Sequence, residues 1–213
     1  TVFTIPVLGG IPVSEAVVVT WIIMAVLVIV AFILTRNLKV DHISKRQAVA
    51  ESIVIGLMNM VQGMVGEKGR KYVPYLTTVM LYIGVSNIIG LFGFKSPTKD
   101  LRVTVALALM SIILIEAAGI YHKGVKRWLH GFVEPVAIVT PINILEVVTK
   151  PLSLCMRLFG NVLGAFVIME LLKMILPVGL PVVFSLYFDI FDGLLQAYVF
   201  VFLTSLYIDE ITE

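Results

Sequence analysis

Residues 16–34, AVVVTWIIMAVLVIVAFIL, hold one hydroxyl, Thr20, and no charge. A run of about 20 apolar residues crosses a bilayer as a helix, because every backbone polar group must be paired internally where water is absent. The remainder of the chain has the same character: its 213 residues are 59% hydrophobic and 14% charged, with a mean hydropathy of +1.03. Soluble domains contain about 45–50% apolar residues. The fold class predicted is therefore an all-α integral membrane protein. A net charge of +2, with no basic run interleaved with aromatics, argues against nucleic acid as a partner. The single cysteine, Cys155, excludes an internal disulfide. His42, His122 and His130 are scattered without HExxH or CxxC spacing, so neither a metal site nor a cofactor is expected.

Working outward, the first span covers about 13–34, with Ser14 as its capping signal. Residues 47–65 mix apolar positions at helical spacing with Glu51, Asn59 and Gln62, which predicts a helix lying along the membrane surface. Further spans are expected at 75–92, 101–121, 136–176 and 181–208. Pro97 and Asp100 mark a turn before the third span, HKGVKRWLHGFVEP (122–135) returns the chain to water, and Pro177 and Pro181 separate the last two helices. No internal repeat is visible, so residues 1–213 read as one helical membrane domain with five crossings and one surface helix.

Orientation follows from the basic residues of the loops. Residues 1–12 carry none, whereas 35–74 carry Arg36, Lys39, Lys45, Arg46, Lys68, Arg70 and Lys71. The N-terminus is predicted outside the cell membrane and the C-terminus in the cytoplasm. Lys123, Lys126 and Arg127 then add to the inside, and Lys95, Lys99 and Arg102 fall outside.

Charge within a span needs a reason, since an Arg or Asp at a helix centre costs about 2.5–3.5 kcal/mol on insertion scales. At about 100° per residue, Glu146, Lys150, Ser153, Arg157, Asn161 and Gly164 fall within roughly 80° of one helix face. Ser185, Asp189, Asp192 and Gln196 fall within roughly 60° on the final helix. With the predicted topology, Asp189 and Asp192 lie in the outer half, Gln196 near the level of Arg157, and Glu146 and Ser153 toward the inside. That pattern describes an acidic groove open to one side, a central arginine, and a second polar path to the other side. Plainer readings exist for each part. Glu146 with Lys150 and Glu170 with Lys173 can be ion pairs at helical spacing, and Arg157 can be a structural partner of Asp189 or Asp192. Gly160 and Gly164 can serve helix packing, Asn87 a hydrogen bond between helices, and Cys155 a small apolar filler.

The stretches PLSLCMRLFGN (151–161), LLQAYVFVFLTSLYI (194–208), SPTKDLRVTVALAL (96–109) and VSNIIGLFG (85–93) resemble the a subunit of bacterial F-type ATP synthases. The resemblance covers most of residues 75–209 and is weaker in the first 70. It implies a non-catalytic stator channel subunit, with long, tilted last helices beside the rotating c ring, and with peripheral-stalk b subunits as further partners. By position, Arg157 matches the essential arginine, Asn161 the amide one turn beyond it, Gln196 the opposing glutamine, and Asn87 the amide of an earlier span. Gly160 and Gly164 would allow close packing against the ring. Two positions depart: Phe166 and Asp189 stand where some members carry Glu and His. Asp189 and Asp192 are the natural substitutes, and Glu146 stands near an acidic position of the inner path. Two offset half-channels would then pass H+ or Na+ to the ring carboxylates, whose ionised form the guanidinium favours. Arg suits that barrier because it does not lose its charge. The alternative from a different class is a secondary transporter in which Arg157 binds an anionic substrate; such proteins show inverted repeats and broken helices at matched positions, and this sequence shows neither.

Overall fold

The computed structural model describes residues 3–5, 11–36, 44–92, 94, 96–131, 140–175 and 179–212. Lys39, His42, Lys95, Pro177 and the first residues of the span expected from 136 lie outside these. A small antiparallel hairpin precedes the helices: β1 (Phe3–Ile5) pairs with β2 (Ile11–Val13), Phe3 opposite Val13 and Ile5 opposite Ile11. The helices are α1 (Glu15–Thr35), α2 (Lys45–Met64), α3 (Val73–Ile88), α4 (Leu101–Lys123), α5 (Val125–Gly131), α6 (Thr140–Ile175), α7 (Leu180–Ser185) and α8 (Gly193–Thr212). Short 3-10 turns at Glu67–Tyr72, Ile89–Phe92 and Pro97–Lys99 join them. Among the described residues five segments are long and apolar enough to cross a membrane, and α2 is not one of them.

Local chemistry sets the ends. Ser14 flanks α1 but makes no side-chain cap; its hydroxyl donates instead to Asp100 Oδ2 at 2.9 Å. Asp100 is itself the cap of α4, its Oδ1 accepting from Arg102 N at 3.0 Å, so one carboxylate ties the start of α1 to the start of α4. Ser44 caps α2 through Gln47 N. Gly124, at φ +76°, ends α4 in a conformation that L side chains avoid and turns the chain into α5.

α6 runs unbroken through Pro151 for 36 residues, about 54 Å at about 1.5 Å per residue. The hydrocarbon core is about 30 Å thick, so a helix of this length tilts or extends beyond it. The last segment departs from the single regular helix expected over 181–208. Residues Leu186–Asp192 wind as a π-helix between α7 and α8. In a π turn each N–H reaches back five residues rather than four, which widens the helix and changes the direction in which Asp189 and Asp192 leave it.

The core lies where α3, α4, α6 and α8 meet. Val79, Ile83, Leu107, Leu154, Leu158 and Phe200 form one buried cluster, and Leu76, Ile112, Ile115, Val201 and Ile208 a second. Cys155 is buried against Thr104, Sγ to Oγ1 3.6 Å, and fills space between α4 and α6. α1 contributes little to this core: Val28 and Phe32 remain 68% and 67% exposed, as suits a helix whose outer surface faces lipid.

Candidate functional site

Alternating helix directions place the C-terminal end of α3, the N-terminal end of α8 and the later half of α6 at one end of the bundle. The ends of α4 and α8 and the start of α6 gather at the other. Each end holds a cavity with charged and polar side chains in its lining. The first, about 510 Å³, is lined by Asn87, Ser96, Lys99, Phe166, Glu170, Lys173, Ser185, Asp189, Asp192 and Gly193 among others. The second, about 360 Å³, is lined by Glu116, Lys123, Arg127, Trp128, Asn143, Glu146, Lys150 and Glu210 among others.

In the first cavity the sequence motifs converge through close backbone approach. A Cβ on Gly193 would meet Asn87 Cβ at 2.7 Å, so only glycine lets α8 start this near to α3. Asn87 Nδ2 donates to Gly193 O at 3.0 Å, and Thr98 Oγ1 donates to Asn87 Oδ1 at 2.6 Å. Because a carbonyl can only accept, Gly193 O fixes the amide nitrogen on its own side and leaves Asn87 Oδ1 for Thr98. Asp189 accepts from Ser185 Oγ at 2.9 Å and packs beside Gly90, where a Cβ would lie 3.2 Å from Oδ1. Glu170 is tied to Lys173 at 2.9 Å, the plain ion pair that their spacing suggested. Lys99 Nζ stands 5.1 Å from the Phe166 ring centroid. Asp189 and Asp192 are thus the acidic groups of this cavity that no cation holds within ion-pair distance among the described residues.

Between the two cavities lies the arginine level. Asn161 Nδ2 donates to Gln196 Oε1 at 2.7 Å, joining α6 to α8 one turn beyond Arg157, and Gln196 is buried. Arg157 lines neither cavity; it is exposed, and no hydrogen bond or ion pair to it is found among the described residues. The structural pairing with Asp189 or Asp192 is therefore not formed. Ser153 and Gly160 share the exposed surface of α6 with Arg157, and a Cβ on Gly160 or Gly164 would meet nothing within 4 Å. Among the described residues, these glycines serve no helix packing inside the chain. Ser153, like Asn161 and Gln196, lines neither cavity.

In the second cavity Glu146 is present, as its face predicted, but it shares a partner. Lys150 Nζ lies 3.9 Å from Glu146 Oε2 and 3.0 Å from Glu210 Oε1, and 5.3 Å from the Tyr207 ring centroid. The simple i,i+4 pair is thus mainly a bridge between α6 and α8. Glu116, the one acid within the apolar run of α4, accepts from Trp128 Nε1 at 2.9 Å. Spacing in the sequence assigns no role to Glu116 or Glu210. Their convergence with Glu146 depends on three helices distant in sequence.

Comparison with known proteins follows the same lines. The family described as ATP synthase A chain matches residues 17–209. An ATP synthase subunit a of Moorella thermoacetica is 36% identical over 94% of this chain and 92% of its own length. A sodium ion specific ATP synthase subunit a of Propionigenium modestum is 35% identical over 93% of this chain and 74% of its own. An ATP synthase subunit a of Crocosphaera subtropica is 30% identical over 92% and 85%.

Proposed function

Since the chain belongs to the ATP synthase A chain family, and so is the non-catalytic, ion-translocating stator subunit of an F-type ATP synthase, we propose that its two cavities are offset half-channels meeting at Arg157. The observation that carries this is the position of Arg157: exposed, without a partner among the described residues, and on the surface between two cavities at opposite ends of the bundle. A guanidinium left open there is available to a carboxylate of another chain, and the c ring is that chain. Gly160 and Gly164 leave room for its helices. A ring carboxylate beside Arg157 is held ionised, releases H+ or Na+, and reloads from the other cavity. Asn161 and Gln196, tied together, keep the two helices in register at that level.

Asp189, Asp192 and Asn87 form the outer path and Glu146 the inner one, with Ser153 on the surface leading inward. The loop charges support an N-terminus outside and a cytoplasmic C-terminus, with the b subunits as the remaining stator partners. Each elementary charge crossing supplies about 2.3 kcal/mol per 100 mV, which the ring converts to rotation. The test is Arg157→Lys in the assembled complex. It should abolish ATP synthesis in proteoliposomes under an imposed ion gradient while all subunits still co-purify, because lysine lacks the planar fork and can lose its charge. Synthesis near the unmutated rate would refute the central role of Arg157. Dependence of ATP hydrolysis on Na+ at fixed pH then identifies the ion.

A further inference from the structure

Three carboxylates, Glu116, Glu146 and Glu210, face the second cavity, and they are not equivalent. Lys150 holds Glu210 at 3.0 Å and stands 3.9 Å from Glu146, so both share one ammonium. Glu116 has no cation within ion-pair distance among the described residues, although Lys123, Arg127 and Lys150 line the same cavity. Its bond is to a neutral donor, the indole N–H of Trp128. The environment of Trp128 is built for this contact: a Cβ on Gly119 would lie 3.2 Å from Trp128 Cδ1 and 2.8 Å from Ile211 Cγ1, so the absence of a side chain there lets the ring approach α4.

Glu146 and Glu210 share the Lys150 ammonium, whereas a single neutral N–H engages one oxygen of Glu116 and orients the group, leaving its other oxygen for an ion in the cavity. A half-buried acid within the last third of an apolar span is also costly unless it reaches water or a path for ions. The cavity has room for several waters beside it. We infer that Glu116 is the ion-exchanging carboxylate of the inner path, a role the sequence assigned to Glu146, and that Trp128 is its positioning residue. This rests on the half-channel reading above. The exchange balances simply: H+ or Na+ binds a carboxylate oxygen, neutralises it, and leaves again either to the cytoplasmic water or toward the ring.

The experiment uses the whole complex in proteoliposomes with its catalytic head facing the bath, so that ATP hydrolysis draws ions through the second cavity. Pumping is measured over a series of bath pH values and Na+ concentrations. Glu116→Gln keeps an oxygen for the Trp128 N–H but removes the charge. It should raise the half-saturating bath ion concentration about tenfold, the low end of what a steering charge contributes, and lower the maximal rate as well, because the group that exchanges the ion is gone. An unchanged half-saturation would overturn the assignment and leave Glu116 as an anchor for α5. So would a lower maximum at unchanged half-saturation. If the glutamine variant does not assemble, Glu116→Cys replaces it, in a Cys155→Ser background with other reactive cysteines removed. An anionic methanethiosulfonate added to the bath should restore tight ion dependence and a cationic one should weaken it; identical effects would overturn the inference. Arg157→Lys is run in parallel. If it pumps normally, the half-channel reading itself has failed; if it is inactive while Glu116→Gln behaves as unmutated, only the role of Glu116 falls.

Discussion

Asn87 makes the hydrogen bond between helices that its plainer reading expects, from α3 to the first residue of α8. It is the one amide within residues 75–92, so its polarity is conspicuous. What a sequence does not reveal is that both ends of the amide are engaged, by Thr98 and by the backbone of Gly193, 106 residues away. Arg157, Asn161 and Gln196 were legible because a charge or an amide in an oily run stands out. Glu116 stood out equally, but its use depends on which helices lie beside it. Two predictions belong at this scale. Thr98→Val leaves a buried amide oxygen without its donor and should lower stability by about 1–3 kcal/mol, whereas Thr98→Ser should be near neutral. Thermal unfolding of the detergent-solubilised complex measures both. Gly193→Ala places a Cβ 2.7 Å from Asn87 Cβ and should cost about 1–3 kcal/mol as overpacking. It should also slow ion uptake through the first cavity, read as ATP synthesis against lumenal ion concentration.

Among the elements, the apolar spans were readable because the membrane requires long, internally bonded runs with few charges. The π-helix at Leu186–Asp192 was not. Ser185, Asp189, Asp192 and Gln196 also fit α periodicity, so nothing in their spacing signals a wider turn. The small hairpin at β1 and β2 was equally silent, since three-residue strands carry too short a pattern to read. A π turn holds one more residue per hydrogen-bonded ring than an α turn, which gives a direct test. Deleting Ile190 should let the segment close to α winding with α7 and α8 nearly in phase, and should bring Asp189 and Asp192 from i,i+3 to i,i+2, on opposite sides of the helix. The complex should still assemble through α8, with ion uptake from the first cavity reduced at least about tenfold. Uptake equal to the unmutated rate would mean that the wide turn is incidental to the path.

For the whole molecule, the arrangement of the two cavities makes a sided prediction. In a Cys155→Ser background, a cysteine at 189 should react with an impermeant thiol reagent from outside, and a cysteine at 146 only from the cytoplasmic face. Labelling of position 189 solely from the cytoplasmic face would reverse the proposed orientation. The open surface around Arg157 bears also on the life of the chain before assembly. A chain without its partner presents a guanidinium to lipid, at about 2.5–3.5 kcal/mol on insertion scales, and either draws headgroups and water inward or distorts the bundle. Supply and demand are thereby linked through the bilayer: copies made in excess carry their own mark of incompleteness. Arg157→Leu should outlast the natural chain when each is expressed alone, as pulse-chase half-lives would record, and the residue proposed to part the two paths would then also be the one that limits surplus copies.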